Sequence, residues 1–588
     1  MKRRKIIISS VLTFMMTVGT MIGNGVTVHA VSTMSVDCNA VIRNVTHCAN
    51  GSLYGLTENT PYDMNQLVAP LHPYVFRNPA RGANGNQHGF GDAIKVARRL
   101  SSIPSAKVSI DLADMLPYWP YKWPGMYGWL NQVGAFINDK KASGCRNWYG
   151  YEIWNEPDGT FKNNGISFEE MWKQTYRFIK QNDPGEKIIG PCDSWYNHNR
   201  MRSFLQFCKA NNCVPDIMSW HELSGVGGIS NHIKAYRSLE RELGIRELPI
   251  SINEYCDPDH DFEGQPGSSA RFIGKFERYK IESATISWWF TGAPGRLGSL
   301  LATNTQRGAG WYFYKWYGDM TGNMVNVVPP NDDSDKVDGA ACVDNNKKYI
   351  SFIFGGPNDG TINTTFRNIP SFISSKAKVT IEKIDWVHKD AVSYGPKTIS
   401  SSVYNVVNGQ ISISMPNCNS TSGYRIYITK ADDTQNPGGD KSAQDIQSGA
   451  IYKLVNRNSG KLLGVHYNLT QNGANVLQWY ENGETSQLWK IIDTGYGYRI
   501  TNVNANKELD VEKASVQDGA NITLWQDNGQ TNQRWFIKKT NDGYYVLENI
   551  NSHKVLDVEN ASNREGANVI QWYSNNGYNQ QWRLIRVN

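Results

Sequence analysis

Two glutamates are placed to do chemistry in this 588-residue chain. Glu156 sits in Trp154-Asn-Glu-Pro157, behind the aromatic and β-branched run Trp148–Trp154. Pro157 ends that run, because it has no N–H to give to a strand ladder. Glu254 closes a second such run, Leu248-Pro-Ile-Ser-Ile-Asn-Glu-Tyr255. A single acidic residue at a strand tip is ordinarily a surface residue. Two that face one mouth divide a double displacement at an acetal carbon between them. One carboxyl group protonates the leaving oxygen and the other attacks the anomeric carbon, at a separation of roughly 5–5.5 Å. Glu156 must then be held protonated by its neighbours, and Glu254 held ionised by donors.

Positioning such a pair takes a rigid frame, and the pattern around it supplies one. Short apolar runs at 43–48, 74–77, 106–112, 148–154, 187–191, 215–220, 248–253 and 284–290 alternate with helical patterns. Trp129, Val133, Phe136 and Ile137 share a helix face, as do Phe168, Met171, Trp172, Thr175 and Ile179 behind the capping box Ser167-Phe-Glu-Glu170. Eight alternations predict a (β/α)8 TIM barrel over residues 31–322, with active groups at the C-terminal strand ends. A doubly wound sheet is disfavoured, since no Gly-rich phosphate loop follows the first strand. Over 323–431 the period becomes two, as in Tyr349-Ile-Ser-Phe-Ile-Phe354, which predicts a small antiparallel β-sandwich. Residues 31–42 are placed to add strands to it. A polar linker follows at 432–442.

Residues 443–588 repeat three times. Ser486-Gln-Leu-Trp489, Asn532-Gln-Arg-Trp535 and Asn579-Gln-Gln-Trp582 recur, each after a matching strand that opens Gly-Ala-Asn and ends in Trp479, Trp525 or Trp572. Three copies of one unit close a ring and predict a β-trefoil, with each Trp in the core and each Gln on backbone.

Residues 1–30 read as a signal peptide: a basic start at Lys2-Arg-Arg-Lys5, an apolar run from Ile6 to Met21, and Val28-His-Ala30 as a cleavage site. The chain is accordingly expected to be secreted and extracellular, with no membrane span. Without those four of the 60 basic residues, the charges nearly balance the 54 acidic ones, so nucleic acid is not an expected partner. The 19 Trp and 30 Tyr suit sugar binding, where rings stack on C–H faces, and also suit large cores. Of nine cysteines, Cys208 with Cys213 and then Cys38 with Cys48 are the best-placed disulfide pairs, and no spacing matches a zinc site.

Trp154-Asn-Glu-Pro157 and Asn253-Glu-Tyr255, on the fourth and seventh strands, resemble the active-site motifs of clan A glycoside hydrolases. Within that clan the chain looks most like family 39, whose barrel carries an appended β-sandwich. The resemblance implies Glu156 as acid/base, Glu254 as nucleophile, and Asn155 on the substrate 2-hydroxyl. It further implies Arg77 under the nucleophile, His221 lining the pocket, and Tyr255 and Trp288 or Trp289 against the sugar. Where the family carries a Tyr two residues beyond that His, this chain has Glu222-Leu223. Glu222 is a rival nucleophile, but adjacent strand residues point to opposite faces. Trp119, Tyr121 and Trp123, in a Pro-rich loop, are candidates for further subsites. The C-terminal repeats resemble ricin-B-type lectin modules, which implies sugar sites at Asp510, Trp525 and Asn532 and at Asp557, Trp572 and Asn579. Repeat one has Gly464 and Ser486 in those places and is expected to be degraded.

The resulting expectation is a secreted retaining glycosidase for a polysaccharide or glycoconjugate containing xylose, arabinose or galactose, tethered by its lectin module. It needs no metal or cofactor, because side chains supply both proton and nucleophile. An endo-acting clan A glycanase of another family and a catalytically silent lectin are the rival readings.

Overall fold

The computed structural model describes residues 30–287, 294–357, 360–393, 395–431, 446–494, 497–540, 543–575 and 577–587. The leader expected at 1–30 (all but Ala30), the linker expected at 432–442, and Trp288 and Trp289 lie outside them. The chain divides into two compact units, one ending at Asp433 and the other beginning at Thr434.

The first unit opens with β1 (Ala30–Asn44) and continues into a closed parallel barrel. Its strands are β2 (Ser52–Leu53), β3 (Val75–Pro79), β4 (Lys107–Asp111), β5 (Trp148–Glu152), β6 (Ile188–Asp193), β7 (Ile217–Trp220), β8 (Ile250–Tyr255) and β9 (Ser283–Ile286). The apolar run at 43–48 is therefore not the first barrel strand. That role falls to the two residues Ser52 and Leu53, beside Gly51, where a Cβ would stand 2.4 Å from the Ala284 carbonyl oxygen. A strand this short, admitted by a glycine, leaves no periodic signal.

The helix Phe168–Asn182 shows how local sequence fixes the frame. Ser167 accepts the Glu170 N–H through its hydroxyl at 3.2 Å, which satisfies one orphan donor of the first turn. Phe168, Met171, Trp172, Thr175 and Ile179 are all buried, the stripe expected from the spacing. Each large apolar member contributes roughly 1.5–3 kcal/mol. Trp172 packs against β6, where a Cβ on Gly190 would come within 2.4 Å of its ring. The barrel strands carry many buried polar groups: Arg77, Ser109, Asp111, Glu152, Ser219, Ser251, Asn253 and Ser283 are all buried, beside an apolar cluster of Val75, Tyr149, Ile189, Cys192 and Ile217. Polar groups this deep must find partners within the barrel.

Strands β10 (Asn323–Val328), β11 (Asp338–Asp344), β12 (Tyr349–Gly355), β13 (Gly360–Arg367), β14 (Lys376–Ile384), β15 (Lys397–Asn405), β16 (Ile411–Cys418) and β17 (Gly423–Lys430) form a β domain with β1. Their hydrogen bonds run in one nine-stranded path, β15-β14-β17-β12-β11-β10-β1-β13-β16. The expectation of purely antiparallel pairing is corrected at one place, since β1 pairs with β13 in parallel. Met34, Val36, Phe352, Phe354, Phe366 and Ile426 share the core of the domain.

All nine cysteines are free thiols, which overturns both expected disulfides. Cys208 and Cys213 are both buried as free thiols. Cys38 lies in the core of the β domain and Cys48 in that of the barrel. Among the described residues no helix is long and apolar enough to cross a membrane.

Among its described residues the second unit has twelve strands in threefold arrangement. Trp489, Trp535 and Trp582 are fully buried, and their indole N–H groups donate to the carbonyls of Leu463, Leu509 and Leu556 at 2.9, 2.9 and 3.2 Å. Gln487, Gln533 and Gln580 donate to the carbonyls of Tyr480, Gln526 and Tyr573. One asparagine from each repeat closes a ring. Asn475 donates to Asn568 at 3.0 Å, Asn568 to Asn521 at 3.0 Å, and Asn521 to Asn475 at 2.8 Å.

Candidate active site

The tip of β5 is pinned before any ligand arrives. The Trp154 indole N–H donates to the Thr160 hydroxyl at 2.9 Å, and that hydroxyl lies 2.7 Å from the Asn155 carbonyl oxygen. Pro157 opens a one-turn helix, Pro157–Thr160, and Glu156 caps it in the left-handed region at φ 50°. A non-glycine residue is held there only where its surroundings insist. The Glu156 N–H donates to the Cys192 carbonyl of β6, and its side chain remains 13 % exposed.

Glu254 and Glu156 meet at His221. The His221 Nδ1 lies 3.1 Å from Glu156 Oε1, and its Nε2 lies 3.7 Å from Glu254 Oε1. One ligand-capable atom from each of the three residues lies within 4.8 Å of the others, which puts the two carboxyl groups in the short-separation class. Burial disfavours the charged ring, but the carboxylates of Glu254 and Glu156 outweigh it and raise the His221 pKa.

Arg77 holds the floor of the site and is wholly buried. Its Nη1 donates to Glu254 at 2.6 Å, Nε to Glu152 at 2.6 Å, and Nη2 to Asp111 at 2.6 Å and to Asn155 Oδ1 at 2.8 Å. Glu254 thereby has a cationic donor that favours its ionised form. The amide oxygen of Asn155 is occupied, so what it offers a ligand is its Nδ2 donor. Burial, and then the charge of Asp114, push Asp111 well above the usual carboxylate range.

The structure brings Arg77, Asn155, Glu156, His221 and Glu254 together and leaves other candidates outside. Glu222 points away, accepting from the Trp220 indole at 2.7 Å with His232 Nδ1 at 2.8 Å. Tyr255 is corrected to a core residue: its hydroxyl meets that of Tyr314 at 2.6 Å and its ring packs on Phe272 and Phe276. Strand alternation turns it away from the mouth that Glu254 faces. In the Pro-rich loop Tyr121 is buried and donates to Asp114 at 2.7 Å, and Trp123 packs on Trp129 and Trp154. Trp119 is 43 % exposed and stands edge-on to Tyr121.

Glu152 is a site residue that spacing alone did not single out. It accepts from Arg77, from Ser109 at 2.6 Å and from Asn253 at 2.7 Å. Its signal was present, since a glutamate inside the aromatic strand Trp148–Glu152 must have buried partners.

In the second unit Asp510 and Trp525 share one hairpin face, since Asp510 pairs with Thr523 and Trp525 lies two residues on. Asn532 and Gln533 donate to Asp510 at 2.9 and 2.8 Å, and Trp525 is 40 % exposed. Asp557 and Trp572 repeat this geometry, with Gln580 donating to Asp557 at 2.7 Å and Asn579 to the Val558 carbonyl at 3.1 Å. In repeat one a Cβ on Gly464 would meet Gln487 at 3.1 Å, and Ser486 donates to Asn468 instead.

A model of the glycosyl hydrolases family 39 matches residues 133–246, which include Glu156. A model described as ricin-type β-trefoil lectin domain-like matches 443–525 and 531–588. The chain is 26 % identical to a 3-O-α-D-galactosyl-α-L-arabinofuranosidase of Bifidobacterium longum subsp. longum, over 68 % of this chain and 41 % of that one. It is 24 % identical to a 3-O-β-L-arabinopyranosyl-α-L-arabinofuranosidase of Bifidobacterium pseudocatenulatum, over 69 % and 48 %. It thus spans less than half the length of these two relatives. The solved structure of N2152 from Neocallimastix frontalis is 62 % identical, covers 68 % of this chain and all of its own, and superposes with a TM-score of 0.68. With the carboxylate pair, its arginine floor and the threefold unit in place, the chain carries a glycosyl hydrolases family 39 domain and a ricin-type β-trefoil lectin domain.

Proposed function

We propose that this protein is a secreted retaining glycoside hydrolase acting on arabinofuranoside-containing glycan, held on its polymer by the trefoil. The observation that carries the reading is the placement of Glu156 and Glu254 on either side of His221, above Arg77. Glu254, ionised against Arg77, attacks the anomeric carbon. Glu156, partly open to solvent and hydrogen-bonded to His221, gives its proton to the leaving oxygen and later takes one from water. Asn155 donates to the sugar hydroxyl beside the scissile bond, and Trp119 at the rim offers a ring to a neighbouring sugar. The names of the two Bifidobacterium relatives share an α-L-arabinofuranoside bearing a 3-O sugar, which supports that substrate class here. Secretion rests on the basic, then apolar, then small-residue pattern of residues 1–30.

Assaying the full chain on nitrophenyl α-L-arabinofuranoside, β-D-xyloside and β-D-galactoside, with the anomer of the first product followed by NMR, tests this. Turnover with retention, abolished in Glu254→Ala, is expected. Glu156→Ala should keep activity only on substrates whose leaving group needs no proton. Inversion, or a Glu156→Ala variant as active as wild type on natural glycan, would overturn the assignment.

A further inference from the structure

The loop that follows β8 holds a second constellation, separate from the carboxylate pair. Cys256 Sγ lies 3.6 Å from His260 Nδ1, which lies 3.0 Å from Glu263 Oε1. All three atoms are within 4.8 Å of one another. Cys256 and Glu263 are 3 % and 2 % exposed, and His260 reaches down onto them from the surface. One ring nitrogen thus faces both a thiol and a carboxylate, and a single N–H serves only one of them.

A cation at the centre takes one ligand atom from each of the three. Tetrahedral zinc, with Zn–S of about 2.3 Å and Zn–N of about 2.0–2.1 Å, spaces sulfur and nitrogen about 3.6 Å apart. The observed edge has that length. The supporting shell is also in place. Ser287 Oγ donates to Glu263 Oε1 at 3.3 Å and Ser299 Oγ to its Oε2 at 3.2 Å, which orients the carboxylate as outer partners of metal ligands do. The Lys389 ammonium is held by Asp261 at 3.0 Å and by the His260 carbonyl at 3.5 Å. A cation entering here displaces the Cys256 thiol proton to solvent.

We propose that Cys256, His260 and Glu263 bind one zinc-class divalent cation, with its remaining position open to water, and that this ion staples the β8 loop to the barrel rim. The spacing, Cys-x3-His-x2-Glu, lies outside the usual zinc patterns, which is why the sequence alone passes over it. The consequence reaches both ends of the loop. Cys256 stands two residues beyond Glu254, and Phe262 packs edge-on against Trp386 of the β domain, with ring centres 5.7 Å apart. The proposal does not depend on the hydrolase reading.

Untagged full-length protein, stripped with chelator and dialysed, is titrated with Zn²⁺ and separately with Co²⁺. One equivalent per chain, a thiolate-to-cobalt absorption band and a raised Tm are expected. Cys256→Ser and His260→Ala should each weaken binding by at least about tenfold, while Glu254→Gln keeps the metal. If Cys256→Ser is unstable in chelator, His260→Ala, altered at the half-exposed member, carries the comparison. Absence of a bound equivalent in wild type would overturn the proposal, as would unchanged binding in both ligand variants. So would a metal lost only in Glu254→Gln, since it would then sit among Glu156, His221 and Glu254.

Discussion

Arg77 donates to Glu254 at 2.6 Å while its other nitrogens hold Glu152 and Asp111 at the same distance, all out of contact with solvent. One guanidinium therefore faces three buried carboxyl groups, and it binds the substrate-facing glutamate to the interior of the barrel. A planar fork that reaches three carboxyl groups at once has no lysine equivalent.

Removing that cation leaves buried carboxyl groups without a counter-charge. Arg77→Met should lower stability by about 3–5 kcal/mol and abolish turnover. Arg77→Lys should keep part of the stability and little of the activity. Denaturant midpoints of the full chain, followed by intrinsic fluorescence, check both. A stable Arg77→Met would show that the carboxyl groups are already neutral in its absence.

Glu152 has no contact with a ligand in the proposed mechanism, yet it shares Arg77 with Glu254. Glu152→Gln should leave KM nearly unchanged and lower kcat, because the guanidinium is then drawn less to β5 and is less fixed under Glu254. A rise in KM with kcat intact would place Glu152 in substrate binding instead.

In the trefoil, Asp510→Ala and Asp557→Ala should each cost about 1–3 kcal/mol of sugar affinity at their own site, or roughly one to two decades. The double variant should lose polymer retention altogether, and changing Gly464 should alter nothing. Isothermal titration of galactose into the full chain, compared between the variants, counts the sites. A third site that survives the double substitution would mean that repeat one binds by other residues.

Burial raises Asp510 to about 6, against the donors Gln533 and Asn532. The sign differs for binding and for stability. Sugar hydroxyls need the ionised acceptor, so affinity at this site should fall as pH drops through about 6. The folded state instead prefers the protonated acid. Its stabilising contribution is full below the unfolded value of about 3.9 and is lost as pH rises through about 6. Titrations at about pH 5 and about pH 8 should therefore show weaker binding at the lower pH. Equal affinity at both would remove Asp510 from the site.

The asparagine ring tests whether three repeats act as one body. Asn521→Ala deletes two of its three bonds and should cost about 1–3 kcal/mol. The triple Asn→Ala variant should cost far less than three times as much, since the first substitution already opens the ring. Additive losses would show that the bonds act separately.

Much of this architecture was legible because its signals were local. Pro157 stops a strand, Ser167 caps a helix, and Trp489, Trp535 and Trp582 recur at fixed spacing. What the sequence hid was long-range or too short to have a period. The apolar run at 43–48 resembled a barrel strand, while the true first strand is two residues admitted by a glycine. Period-two alternation correctly set Glu222 aside, and the same alternation applied to Tyr255 would have moved it from the sugar site to the core. The Cys208–Cys213 turn was close enough for a disulfide, but spacing along a chain does not set the approach of two sulfur atoms.

Strand β1 belongs to the β domain although it precedes the whole barrel in the chain, and Ser35 pairs with Val328. During synthesis this segment emerges ahead of the barrel and waits, edges unpaired, until the barrel and then β10 and β13 have been made. Final docking thus clasps the barrel's beginning to its end, and the clasp lies mid-sheet, between β10 and β13, where a fusion or trimming at Ala30–Asn44 would part the domain in two.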